Sequence, residues 1–100
     1  MITSKQRAYL RSLANTLQPI FQIGKEGITD NLVHQLSDAL NARELIKITI
    51  LPSALMETKE TCNTLALRLG AEPVQSIGSK FVLYRMSQKE KNRKIELPKK

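Results

Sequence analysis

Three stretches of the chain repeat their apolar residues every three or four positions, the spacing of a helix with one buried face. The pattern predicts helices over about 4–17, 29–42 and 52–69. Ser4 and Thr29 are placed to cap the first two helices, and Gly70 lies where a left-handed cap would end the third. The predicted inner faces carry Leu10, Leu13, Ala14 and Leu17, then Leu32, Val33, Leu36, Ala39 and Leu40, then Leu55, Cys62, Leu65, Ala66 and Leu69.

Short apolar segments between and after the helices predict four strands, over about 20–23, 45–51, 73–77 and 80–85. Ile46, Ile48 and Ile50 alternate with polar residues, which is typical of a strand with one buried face. Gly78 is the first residue of a two-residue loop between the last two strands, and glycine there favours a type II′ hairpin turn.

The predicted order of elements is αβαβαββ. Strand–helix–strand connections join parallel strands through right-handed crossovers, whereas the final hairpin is antiparallel. We therefore expect an α/β fold, a single compact domain over 1–86 with a mixed four-stranded sheet packed against three helices. Residues 87–100 carry six cationic side chains against two acidic ones, which predicts a basic, flexible C-terminal tail. The pattern does not fix the strand order.

Charge narrows the class of partner. The formal net charge is +7 and the isoelectric point is near 9.9, which favours an anionic partner such as nucleic acid, acidic lipid or an acidic protein. On charge alone, a small basic protein that binds no nucleic acid is an equal alternative. A single cysteine, Cys62, allows no internal disulfide. The sequence shows no signal peptide and no apolar run long enough to span a membrane, and so we expect a cytoplasmic monomer that does not bind membranes.

A glycine-bracketed loop, Gly24-Lys25-Glu26-Gly27, follows the first predicted strand and precedes the second predicted helix. Glycines permit close backbone approach, and N–H groups at a helix start favour an anion. Lys25 adds a full charge, so the loop is a candidate contact for a nucleic-acid phosphate. A tight strand-to-helix turn without a ligand is an equal alternative. The loop lacks the pattern of a nucleotide-binding P-loop or a dinucleotide fingerprint.

Other cations extend this candidate surface if the fold brings them together. Arg7 and Arg11 are four positions apart on the first helix and therefore share one flank, while Lys5 lies further round. The remaining candidates are Lys47, Lys80 and Arg85 on the strands. A scattered, solvated set of charges is the alternative.

Catalytic and metal-binding groups are sparse. His34 falls on the polar side of the second helix and Cys62 on an apolar stripe, and these two residues are too few for a zinc site. We therefore expect no enzyme activity, no metal, no cofactor and no small-molecule substrate. The aromatic residues are Tyr9, Phe21, Phe81 and Tyr84, and the phenylalanines are expected in the core. So few stacking platforms favour recognition by shape and backbone contact.

Several segments in order resemble the YhbY-like RNA-binding proteins, also called the CRM (chloroplast RNA splicing and ribosome maturation) domain, over about residues 5–85. They are Tyr9-Leu10-Arg11-Ser12-Leu13-Ala14, Gln22-Ile23-Gly24-Lys25-Glu26-Gly27-Ile28-Thr29, Glu44-Leu45-Ile46-Lys47-Ile48, Gly70-Ala71-Glu72, Val74-Gln75-Ser76-Ile77-Gly78 and Val82-Leu83-Tyr84-Arg85.

The resemblance implies a fold similar to the C-terminal domain of bacterial translation initiation factor three. It also implies RNA binding, because stand-alone bacterial members are associated with precursors of the large ribosomal subunit and plant members assist group II intron splicing. The family's glycine-bracketed loop, implicated in RNA contact, corresponds to Gly24–Gly27, and its basic first helix to Lys5, Arg7 and Arg11. Family loops often carry a neutral residue at the position of Glu26, so an acid here weakens phosphate contact or leaves it to Lys25.

The favoured hypothesis is a protein that binds ribosomal RNA during assembly of the large subunit, with the basic tail widening its positive footprint. One alternative is a basic protein-interaction module that docks on an acidic ribosomal or assembly protein. Another is a general nucleic-acid binder that also acts on DNA.

Overall fold

A computed structural model, which describes residues 2–99, contains the predicted elements in the predicted order. The helices are α1 (Ser4–Ala14), α2 (Asp30–Arg43) and α3 (Thr58–Leu69). The strands are β1 (Phe21–Ile23), β2 (Leu45–Ile50), β3 (Glu72–Ile77) and β4 (Lys80–Tyr84). Short 3-10 turns occupy Pro52–Ala54 and Glu90–Asn92. The α/β fold with three helices and a mixed four-stranded sheet is thereby confirmed. None of the helices in residues 2–99 has the length and apolar character that crossing a bilayer requires.

The strands lie in the order β1-β2-β4-β3, which leaves β1 and β3 at the two edges. β1 runs parallel to β2, and β4 runs antiparallel to both β2 and β3. The carboxyl ends of β1 and β2 therefore meet the β3–β4 turn at one end of the sheet. There the Leu51 N–H donates to the Ile23 carbonyl (2.9 Å), and the Ile50 N–H donates to the Ser79 carbonyl (2.7 Å). We call residues 24–27, 51–56 and 78–79 the hairpin end.

The sheet buries both faces. On one face, Ile46, Ile48 and Ile50 pack with residues of α2 and α3, including Leu36 and Leu65. Residues on the opposite face pack against α1 and form a second cluster. Its members are Leu10 and Ala14 of α1 and Leu45, Val74, Val82 and Tyr84 of the strands. The face of β2 that carries Lys47 is thus covered in part by α1, and Lys47 itself is half-buried. Burial on two faces by aliphatic residues is the main stabilising contribution available to so small a domain.

Helix boundaries differ from the predictions where short-range capping decides them. α1 begins after Thr3, not Ser4, because Thr3 and Gln6 form a reciprocal capping box. It ends at Ala14 rather than Leu17, three residues earlier than its apolar spacing suggests. α2 is capped by Thr29 as expected, since the Thr29 hydroxyl accepts from the Leu32 N–H (3.0 Å).

The third helix begins six residues later than predicted, at Thr58. Pro52 opens only a single 3-10 turn, and this turn ends at Leu55, which adopts a left-handed backbone (φ 53°). The Leu55 side chain is exposed and does not join the apolar face predicted for it. The Glu57 carboxylate then caps α3 by accepting from the N–H groups of Lys59 (3.1 Å) and Glu60 (2.7 Å).

The C-terminal segment predicted to be flexible makes specific contacts with the domain. Ile95 and Leu97 pack against the cluster beneath α1. The Gln6 side chain donates to the Pro98 carbonyl (2.9 Å), and the buried Glu44 carboxylate accepts from the backbone of this segment. Because Glu44 immediately precedes β2, the segment is anchored at the end of the sheet opposite the hairpin end. Its mobility in solution stays a prediction, and these contacts define where it rests.

Candidate nucleic-acid interface

The glycine-bracketed loop forms a closed turn at the hairpin end. The Gly27 N–H donates to the Gly24 carbonyl (2.9 Å), which places Lys25 and Glu26 at the tip, where both are exposed. Gly27 has a positive φ of 68°, a conformation that side chains rarely adopt. The turn itself therefore favours glycine at this position.

Both glycines lie against the segment that follows β2. A Cβ at Gly24 would lie 3.8 Å from Leu51 Cδ1 and 3.9 Å from Ser53 Oγ, and one at Gly27 would lie 3.8 Å from Met56 Sδ. These neighbours cover one side of the turn and leave the Lys25–Glu26 tip open. The tip is therefore the part of the loop that can reach a ligand.

The start of α2 is largely occupied by the protein's own groups. Two residues, Ile28 and Thr29, separate the loop from the first helical residue, Asp30, whose carboxylate forms an exposed ion pair with Arg68 (3.1 Å). Thr29 already accepts the Leu32 N–H. An acid in the first turn and a side-chain cap both satisfy the positive end of the helix dipole. The expected helix-terminus contribution to anion binding is thus small, and Lys25 is left as the main cationic group of the loop.

Lys47 and Lys80 are brought together on the face of the sheet that α1 covers. Lys47 pairs with Val82 and Thr49 with Lys80, so the two lysines point to the same side. They line a groove, which we call the lysine groove, and Asn15, the C-cap residue that follows α1, also lines it. The remaining lining residues are Gln75, Ile77, Gly78, Ser79 and Val82. Two predicted cations therefore converge close to the hairpin turn.

Arg7 and Arg11 line a second groove, the edge groove, of about 610 Å³ along the open edge of β3. The Arg7 Nε also donates to the Pro73 carbonyl (3.2 Å), which fixes that side chain against the strand. The opposite wall is formed by Lys59 and Asn63 of α3. Residues 73–77 of β3 form the floor.

The sequence pattern did not indicate Lys59 and Asn63 as candidate interface residues. They are four residues apart and therefore share one flank of α3, but they look there like ordinary solvated residues. Only the strand order, which places β3 at an edge between α1 and α3, makes that flank the wall of a groove.

Arg85 is used inside the fold rather than at this surface. Its guanidinium donates to the carbonyls of Leu69 (2.9 Å) and Ser37 (2.8 Å), and also reaches the side chains of Ser37 and Asn41. Burial lowers the pKa of Arg85, although an arginine remains protonated in a folded protein. These contacts tie the end of β4 to α2 and α3, and so we assign Arg85 a structural role. Lys5 is exposed on α1 outside the residues that line the two grooves.

The grooves and the loop form one continuous surface. A third groove, the loop groove, includes Leu51 and Met56, the neighbours of Gly24 and Gly27, and extends to the hairpin turn. It shares Gly78 and Ser79 with the lysine groove. The lysine groove in turn shares Gln75 and Ile77 with the edge groove. Lys47, Lys80, Arg7 and Arg11 therefore line adjoining grooves, which we call the cationic path. Lys25 lies at the tip of the loop whose glycines adjoin the loop groove, whereas Arg85 lines none of these grooves.

The remaining reactive side chains, His34 and Cys62, do not themselves line the three grooves. His34 is exposed on α2. Cys62 is buried, and desolvation raises the pKa of its thiol while a hydrogen bond with Ser76 opposes that rise. Within residues 2–99, histidine, cysteine and acidic side chains form no group of three that could hold a metal ion.

Comparison with known proteins assigns the family. Residues 2–85 match the CRS1 / YhbY (CRM) domain. The Probable RNA-binding protein YqeI of Bacillus subtilis is 43% identical over 98 residues, spanning 98% of this chain and 100% of that protein. An RNA-binding protein of Haemophilus influenzae is 37% identical, spanning 99% and 97%. The solution structure of the hypothetical protein SAV1595 from Staphylococcus aureus is 45% identical, with a TM-score of 0.75 over 98% of this chain and 100% of that one. The chain is therefore a member of the CRS1/YhbY (CRM) domain family.

Proposed function

We propose that this protein binds ribosomal RNA during assembly of the large ribosomal subunit, through the glycine-bracketed loop and the two grooves that continue from it. RNA binding is supported by the names of the relatives from Bacillus subtilis and Haemophilus influenzae. The large-subunit target is supported by the resemblance to stand-alone bacterial members of the family.

The continuity of the cationic path carries this proposal. Lys47 and Lys80, and then Arg7 and Arg11, line grooves that share residues of β3, and Lys25 lies on the loop that adjoins the hairpin end. A run of separated cations on one side of a protein suits a polyanion, whose phosphates repeat along a line. A single small anion would instead require several donors converging on one point.

Contact with the RNA backbone is favoured over base stacking. Phe81 and Tyr84 are buried and Phe21 is half-buried, which leaves Tyr9 as the most exposed aromatic ring. Proteins that bind unpaired bases without sequence preference stack them on several aromatic rings. Recognition here therefore rests on shape and on phosphate contacts, as for structured RNA.

The first test measures affinity for a folded fragment of large-subunit ribosomal RNA at several salt concentrations. Four to six phosphate contacts give a slope of log affinity against log salt of about −3 to −5. Lys25→Ala, and separately the pair Lys47→Ala with Lys80→Ala, should each weaken binding and reduce the slope by about 0.7 to 0.9 per lysine removed. Lys91→Ala, which removes an exposed lysine from the opposite end of the sheet, is the matched control.

The RNA target itself is tested by crosslinking in cells followed by sequencing of the attached RNA. Reads concentrated in one region of large-subunit ribosomal RNA support the proposal. Equal affinity for duplex DNA would indicate a general nucleic-acid binder instead. Tight binding to an acidic protein, with weak RNA binding that the lysine substitutions leave unchanged, would indicate a protein-docking module.

A further inference from the structure

We propose that the edge groove holds one phosphodiester strand of the bound RNA, with Lys59 and Asn63 of α3 as RNA contacts opposite Arg7 and Arg11. This inference rests on the proposed function and adds α3 to the interface.

The groove presents cations from both sides of an open sheet edge. α1 and α3 cover opposite faces of the sheet, and each projects part of its flank past β3. Arg11, Lys59 and Asn63 are exposed, and Arg7 is half-buried. Among the described residues that line the groove, none is acidic. A ligand lying along β3 would therefore meet positive charge on both sides, which favours an anionic chain over a neutral one.

The α3 wall is held in place by the start of that helix. The Thr58 hydroxyl donates to the Gly78 carbonyl (2.7 Å) and joins α3 to the hairpin turn. Glu57, the nearest acid before Lys59, accepts backbone N–H groups of α3 with both carboxylate oxygens. Lys59 consequently projects from a fixed first turn, and the preceding carboxylate is engaged with the helix backbone.

The strand edge itself is poorly suited to a protein partner that adds a β-strand. Pro73 lacks a backbone N–H, and the pairing of β3 with β4 shifts register between Pro73 and Gln75. The Pro73 carbonyl already accepts the Arg7 Nε. Proline, a bulge and an occupied carbonyl all hinder the pairing of an edge strand with an added strand. The edge groove therefore fits an extended polyanion held by side chains better than a peptide held by its backbone.

The groove lining also favours the sugar-phosphate chain over the bases. Asn63 and Gln75 supply neutral hydrogen-bonding side chains between the cations. No aromatic side chain occurs among the described lining residues, so bases find no stacking platform there. Amide and hydroxyl groups combined with cations are the usual partners of phosphate and sugar oxygens.

The test compares Lys59→Ala with Lys91→Ala in the full chain, using the same folded ribosomal RNA fragment at salt concentrations near 0.15 M. Both substitutions remove one exposed lysine, but only Lys59 lines the edge groove. Lys59→Ala should reduce the salt slope by about 0.7 to 0.9 and weaken binding, whereas Lys91→Ala should leave both unchanged. Asn63→Asp lowers the charge of the groove by the same one unit and should also weaken binding. Unfolding in urea establishes that each variant is folded.

A second readout locates the contact without relying on affinity. On addition of the RNA fragment, the backbone amide resonances of Gln75 and Ser76 should shift in the wild-type protein and shift less in Lys59→Ala. If Lys25→Ala weakens binding while Lys59→Ala behaves as Lys91→Ala, α3 is excluded from the interface, and RNA binding through the loop and the lysine groove stands. If the wild-type protein binds no RNA, both the proposed function and the edge-groove inference fail. If Lys59→Ala lost binding to poly-glutamate but kept its binding to the RNA fragment, the groove would be overturned as an RNA site.

Discussion

At the scale of single residues, the two glycines of the loop have different roles. Gly27 has a positive φ, so an alanine there would be strained by about 1 to 2 kcal/mol. Gly24 has no such constraint, and a Cβ would make only ordinary contacts at 3.8 and 3.9 Å. We expect Gly27→Ala to lower the free energy of unfolding by that amount and Gly24→Ala to change it by less than about 1 kcal/mol, as measured in urea. Equal destabilisation by the two substitutions would contradict the assigned turn geometry.

Glu44 combines a strained backbone with a buried charge. It caps α2 with a positive φ of 65°, and its side chain has no solvent-exposed surface. The carboxylate accepts from the N–H groups of Ser87 (2.9 Å), Lys94 (2.8 Å) and Ile95 (3.2 Å). Three backbone donors compensate the burial of a carboxylate that lacks a salt bridge among the described contacts.

Replacing this carboxylate with an amide should release the C-terminal segment. Glu44→Gln keeps the shape but loses one acceptor and the charge, which costs about 1.5 to 3 kcal/mol for a hydrogen bond to a charged group. We expect lower stability in urea and faster hydrogen exchange at Ser87, Lys94 and Ile95. Glu96→Gln, an exposed acid of the same segment, is the control. If both variants unfold at the same urea concentration, the anchoring role of Glu44 is wrong.

At the scale of elements, periodicity in the sequence was sufficient for type and order. Alternation at Ile46, Ile48 and Ile50 and the helical spacing of Leu36 and Leu40 reflect burial against a neighbouring layer, and burial is what the pattern records. The ends of the helices depend instead on local hydrogen bonds. Thr3 displaced Ser4 as a cap through its pairing with Gln6, and the side chain of Glu57 rather than Pro52 starts α3. Such local hydrogen bonds leave little trace in hydrophobic spacing.

The candidate site was only partly predictable for a related reason. Lys25, Lys47 and Lys80 could be singled out because each is a cation beside a glycine or on a strand with a polar face. Arg85 has the same appearance in sequence, yet its guanidinium fills a hydrogen-bonding position between α2 and α3. Lys59 became a candidate only when β3 was found at the sheet edge. Strand order depends on long-range packing, which alternation within one strand does not encode.

At the scale of the whole molecule, Lys89 and Lys91 lie far from the hairpin end, although Pro98 of the same segment accepts from Gln6, beside Arg7 of the edge groove. The cationic path occupies the hairpin end and the β3 edge, while the C-terminal segment is anchored through Glu44 at the start of β2. Five steps along β2, at about 3.3 Å each, separate the two ends by roughly 16 Å. The Debye length at 0.15 M salt is about 8 Å, so the charges of Lys89 and Lys91 are screened from the hairpin end under those conditions.

This separation predicts a salt-dependent role for the C-terminal lysines. Lys89 and Lys91 are both exposed, and Lys89→Ala combined with Lys91→Ala should leave RNA affinity within about twofold at 0.15 M salt. At 0.01 M salt the Debye length rises to about 30 Å, so the same double variant should bind more weakly and associate more slowly. Titration and stopped-flow binding at both salt concentrations check this. An equal loss of affinity at both would show that the segment touches the RNA directly, because a screened long-range field cannot act at 0.15 M as strongly as at 0.01 M.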